Sequence, residues 1–143
     1  MKQITTRLTL FLTASLFGLH SLANNIKPFH FFENIIVVTV DAKGKAMIGK
    51  DSFDMEGLSQ ELQQRFWRSY LGTDKMQEKV KLDYIGNVSP AFKKNVIAAI
   101  KKAQQGALID LCLQLHKKKY EDLSAKQQQK IKAKYPILFQ QNF

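Results

Sequence analysis

Six residues, Ile35-Ile36-Val37-Val38-Thr39-Val40, constrain this chain more than any others. β-Branched side chains are stiff at χ1 and pack well on a pleated surface, and so short a run is not a helix. Apolar side chains on both parities predict a strand covered on both faces. The polar residues that follow, Asp41-Ala42-Lys43-Gly44-Lys45, predict a turn in which Gly44 takes positive φ. Ala46-Met47-Ile48-Gly49 returns as a second, short strand, making a hairpin.

The period then changes. Asp54 has the character of an N-cap, and behind it Met55, Leu58, Leu62 and Phe66 fall at spacings of three and four, on one face of a helix. Glu56 and Glu61 lie early in that helix and Arg65 and Arg68 late, as the helix dipole favours. Gly72 is its expected stop. Val80, Leu82 and Tyr84 alternate with Lys81 and Asp83, a strand signature. Ser89-Pro90 opens a second helix with a hydroxyl cap and a proline at the first turn. Its stripe is Phe92, Val96, Ala99, Ile100 and Ala103, and Gln105-Gly106 is read as its end. From Ala107 to His116 apolar and mixed residues alternate with period two, which predicts a last strand.

The expected fold class is therefore α+β: β-β-α-β-α-β, a small mixed sheet with two helices on one face. A C-terminal helical extension follows. Ser124 and Gln127 fit a capping box, Ala125 to Lys134 can form a helix whose apolar face is little more than Ile131, and Pro136 ends it. The expected organisation is a signal peptide at 1–23, a lead at 24–34, a domain at 35–116 and a basic extension at 117–143.

Charge and cysteine usage narrow the function classes. The net charge of +10 raises nucleic acid as a partner. Lys2 and Arg7 belong to the leader, however, and residues 117–143 hold seven lysines against Glu121 and Asp122, so the folded part is only mildly basic. No aromatic residues interleave with the lysines as a single-strand nucleic-acid surface requires. Nucleic acid is not expected. The single cysteine, Cys112, excludes an intramolecular disulfide and a Cys-based zinc site.

The leader sets the compartment. Lys2 and Arg7 precede an apolar run from Leu8 to Leu22, and Ser21-Leu22-Ala23 places small residues where a signal peptidase reads them. Cleavage after Ala23 and a periplasmic location are expected. The alternative is an uncleaved inner-membrane anchor at residues 8–23.

Three stretches then resemble a known family. They are IIVVTVDAKGKAMIGKDSFDMEGLSQEL, KVKLDYIGNVSPAFKKNVIAAIKKAQ and ALIDLCLQL. With Val40-Asp41, Gly44, Leu58 and Leu62, Asp83, Ala99-Ile100-Lys101-Lys102-Ala103 and Leu111 to Leu115, residues 35–116 resemble the periplasmic domain of the ExbD/TolR family. These proteins are stator subunits of proton-motive-force-driven envelope transport complexes. The resemblance implies a non-catalytic homodimer whose partners are envelope proteins of a motor complex or peptidoglycan. It does not carry over the family's membrane-helix Asp, because the run from Leu8 to Leu22 holds no Asp or Glu. The rival class is a small secreted enzyme or ligand-binding protein of an unrelated α+β family.

Candidate sites are few. Asp83, Tyr84, Asn87 and Ser89 lie where a strand hands over to a helix, a common ligand position; the plainer reading is a turn and an N-cap. Trp67 either completes the core or forms a contact patch. Lys117, Lys118 and Lys119 form a basic surface suited to anionic lipid or polymer, or simply a solvated run. Cys112 reads as a small buried residue. His30 and His116 have no ligand-spaced neighbours, so neither metal nor cofactor is expected. No catalytic motif is present, and an enzyme is not expected.

Overall fold

The computed structural model describes residues 35–143. The leader, the lead segment and His30 lie outside the described residues. Strand β1 (Ile35–Asp41) is followed by β2 (Ala46–Ile48), β3 (Asp51–Phe53), helix α1 (Met55–Thr73), β4 (Lys79–Ile85), helix α2 (Pro90–His116) and helix α3 (Ala125–Lys134). Two 3-10 turns, Tyr120–Asp122 and Pro136–Phe139, flank α3. The class is α+β, as expected: a mixed sheet with helices on one face and a helical C-terminus.

The sheet order is β3-β2-β1-β4. β1 pairs antiparallel with β2 and parallel with β4, in a register that sets Val38 opposite both Ile48 and Leu82. Asp41 builds the first turn: its Oδ1 accepts the N–H groups of Lys43 and Lys45, both at 2.9 Å. Gly44 takes φ +78°, as expected. Gly49, at φ +64°, opens a two-residue loop that returns the chain as β3, a strand the sequence reading leaves out. A glycine in the first loop position is what such tight hairpins require.

The core lies on one face of the sheet. Ile36, Val38, Val40, Ala46, Ile48, Val80 and Leu82 meet Leu58, Leu62 and Phe66 of α1 and Val96, Ile100, Ala103 and Ala107 of α2. β1 was expected to be covered on both faces. Among the described residues only one face is, and Val37 on the other is 36% exposed. Asp54 caps α1 as expected, its carboxylate accepting the Gly57 N–H at 2.7 Å. The helix does not stop at Gly72. It runs to Thr73, and Asp74 takes the left-handed position at φ +56°.

The largest correction concerns Ala107–His116. These residues are not a strand; they are the second half of α2, which spans 27 residues. The stripe Val96, Ile100, Ala103, Ala107, Leu111 continues at helical spacing straight through Gly106, and leucine and glutamine are good helix formers. Gly106 leaves room for the Gln63 side chain of α1 against α2. A Cβ there would stand 2.6 Å from Oε1 of Gln63 on α1. The closing strand that the ExbD/TolR pattern requires is therefore a helix here.

The tail was expected to lie beyond the domain, yet it packs into the same core. α3 has the expected bounds and its capping box of Ser124 and Gln127. Around it Leu123, Ile131, Tyr135, Ile137 and Leu138 are all buried. Gln104, 4% exposed on α2, donates to the carbonyls of Ile137 at 2.6 Å and Gln140 at 3.2 Å and so holds the last turn in place.

Candidate functional site: the outer edge of β4

Among the described residues β4 is an edge strand, with β1 as its only sheet neighbour. Backbone groups alternate in direction along a strand, so residues of one parity face β1 and those of the other face outward. Gln140 reveals which. Its side-chain Oε1 accepts the Val80 N–H at 2.8 Å, and its Nε2 donates to the Val80 carbonyl at 2.7 Å. Val80, Leu82 and Tyr84 thus point their N–H and C=O away from β1. Gln140 satisfies the Val80 pair. Among the described residues no hydrogen bond reaches the outward pairs of Leu82 and Tyr84. An edge with open donors and acceptors is a template for another strand.

The predicted residues lie around this edge. Asp83 is on the outer sheet face and pairs with Lys81 Nζ at 2.8 Å. Tyr84 is 38% exposed and lies under Lys93 of α2, whose Nζ is 4.7 Å from the ring centre. That cation–π contact fixes the ring over the end of the strand. Asn87 is exposed in the loop beyond. Ser89 caps α2, its Oγ accepting the Phe92 N–H at 3.3 Å. β4 and its following loop carry these four in succession, but Asp83 faces the outer side of the sheet and Tyr84 the side of α2, so the structure does not gather them into one site.

Trp67 and Lys117 belong elsewhere. Both line an open groove of about 670 Å³ between α1 and the last turns of α2, together with Asp110, Leu113 and Gln114. Trp67 also stacks near Tyr70, at 5.2 Å between ring centres. The groove's carboxylate is engaged, since Asp110 accepts from Gln63 at 2.8 Å. Lys117 caps α2 in a left-handed conformation, φ +55°, its N–H donating to the Leu113 carbonyl. Lys118 and Lys119 are exposed beside it.

His116 lies close to Gln127, at 3.5 Å. α2 begins just beyond β4 and its 27 residues span about 40 Å, so His116 and Asp83 sit at opposite ends of the domain. They share no cleft. Cys112 is fully buried, and burial, with the nearby Glu121 charge, pushes its thiol up from 9.0. A thiol held neutral in this way is a poor nucleophile. Among the described residues no group of three His, Cys, Asp or Glu side chains could hold a metal ion. No helix among them is long and apolar enough to cross a membrane.

The residues that sequence reasoning misses are Gln140 and Gln104. Both are neutral and polar, and Gln140 acts across 60 residues of chain. Nothing local marks either. No family model, curated protein or solved structure matches the chain.

Proposed function

We propose that this protein is a non-catalytic interaction module of the bacterial envelope that binds an extended peptide segment of a partner at the outer edge of β4. The observation that carries the reading is the pair of open backbone rungs at Leu82 and Tyr84. Strand addition at an edge gives affinity through main-chain hydrogen bonds and needs no catalytic group. The Lys93–Tyr84 contact stiffens the end of that edge. The groove at Trp67 suits the ligand-binding rival less well, because it is open and its one carboxylate is already bonded to Gln63.

The envelope location rests on the leader at residues 1–23, and the kind of partner on the ExbD/TolR resemblance. That resemblance suggests envelope proteins of a motor complex or peptidoglycan, and a homodimer. It is carried by β1, its turn, α1, β4 and the first half of α2. Determining the mature N-terminus in cell fractions tests the location: a start at Asn24 in the periplasmic fraction is expected. An intact Met1 in the cytoplasm refutes it. Backbone amide shifts on titration with an eight-residue peptide of alternating valine and glutamate test the binding mode. Shifts confined to Leu82 through Tyr84 are expected; shifts centred on Trp67 and Leu113 would transfer the function to the groove.

A further inference from the structure

Among the described residues Val80 is the one outward position of β4 whose N–H and carbonyl are both bonded, and its partner is a side chain. The carboxamide of Gln140 carries the same donor and acceptor as a peptide unit. At 2.8 and 2.7 Å it supplies what a paired residue of a neighbouring strand would supply. It reaches β4 from just past the end of the 3-10 turn Pro136–Phe139, whose Ile137 and Leu138 are buried and whose Ile137 carbonyl accepts from Gln104, as does the carbonyl of Gln140 itself.

We propose that Gln140 is a register-setting residue for strand addition. Seated, it fills the Val80 rung and confines an incoming peptide to Leu82 and Tyr84. Displaced, it opens the edge from Val80 onward and admits a longer strand. Lys79 and Lys81 flank that rung in sequence and are exposed on the outer face; Lys81 is engaged by Asp83, and among the described residues Lys79 has no carboxylate partner, so the added length favours a peptide with an acidic side chain beside Lys79. The proposal rests on the edge-strand reading of β4 and assigns the residue that limits it.

The test uses the full chain, its Gln140→Ala and Gln140→Asn variants, and the same alternating valine–glutamate peptide. Asparagine keeps the amide but is one methylene short, so it should behave as alanine does. Amide exchange at Val80 is expected to speed up about tenfold in both variants, the scale of one lost hydrogen bond, while Val96 and Leu111 in α2 keep their protection. The peptide is expected to bind both variants about tenfold more tightly, with amide shifts extending to Val80. Unchanged exchange at Val80 would overturn the proposal. Equal peptide affinity for all three proteins would also overturn it, leaving the edge reading in place. A peptide that binds none of them, despite faster exchange at Val80, would sink the edge reading and the register role with it.

Discussion

Gln104 is where the tail is most open to attack. Its side-chain amide is buried and donates to the carbonyls of Ile137 and Gln140, 33 and 36 residues away. Gln104→Leu keeps nearly the same volume and removes both donors. The Ile137 carbonyl then stays inside without its partner, which costs about 1–3 kcal/mol. The Gln140 carbonyl is less enclosed, and its loss adds about 0.5–1 kcal/mol. A leucine methyl recovers some apolar burial, so the net expectation is about 2 kcal/mol. Gln104→Ala loses the same bonds and leaves a cavity as well, giving about 3 kcal/mol. Domains of this size are stable by about 5–15 kcal/mol, so either change is large but survivable.

Urea unfolding followed by circular dichroism measures the effect. The midpoint should fall with an unchanged slope, because the surface exposed on unfolding stays the same. Amide exchange should locate it, with Leu138 and Gln140 losing protection before the core of α1 and the sheet. A Gln104→Leu protein within 0.5 kcal/mol of the parent would refute the argument, since a buried carbonyl cannot lose its partner at so small a cost.

Three further outcomes are expected. Gly106→Ala should be near neutral in the parent, because about 1 kcal/mol of helix propensity is offset when the new Cβ displaces Gln63 from Asp110. In a Gln63→Ala background the same change should stabilise by about 0.5–1 kcal/mol, and equal effects in the two backgrounds in a double-mutant cycle would remove the close-approach role of Gly106. Stability should fall in alkali: burial pushes the Cys112 thiol above 9.0 and the Tyr135 phenol above 10.0, so their contributions are whole below those values and are lost as pH rises through the raised ones. Urea midpoints at pH 8 and pH 11, with tyrosinate absorbance, check this, and equal midpoints would contradict it. Truncation after His116 should abolish cooperative unfolding, because it removes five buried apolar side chains at about 1.5–3 kcal/mol each, comparable to the whole stability; a sharp melt near that of the full chain would show the tail to be dispensable.

Local signals served the sequence reading where local chemistry decides structure. Asp54, Ser89 with Pro90, and Ser124 with Gln127 are caps whose partners lie three residues away, and all three helices start where those residues say. Gly44 behaved likewise. Failure came where two periodicities overlap. Residues 107–116 satisfy alternation by eye, yet Ala107, Leu111 and Cys112 are the buried ones, on the arc that faces α1, the sheet and the tail. The helix leaves Ile109, Leu113 and Leu115 more than two-fifths exposed, a loss that the continuous stripe from Val96 outweighs. β3 has no local signal, because Asp51-Ser52-Phe53 has no strand composition of its own. It pairs because Gly49 turns the chain back onto β2. The sites divide the same way. Asp83 through Ser89 are legible as a strand-to-helix junction, whereas Gln104 and Gln140 act through partners no window of sequence contains.

The helical outcome at Ala107–His116 also decides what the sheet can do. As a strand, this segment would have sought a place in the sheet, and the order β3-β2-β1-β4 offers it only two edges. As helix it extends α2 by about 15 Å and gives the tail a surface along which to return. The tail comes back past Tyr135 and Ile137 and delivers Gln140 to the start of β4, so one carboxamide stands where a whole strand would otherwise lie. A full strand would bury every outward rung of β4. Among the described residues a single side chain closes one and leaves the next two open. The open edge is therefore a direct consequence of the residues that extend α2, and a substitution that broke the helix at Ala107 would change the reach of the tail, and with it the edge, before touching β4 itself.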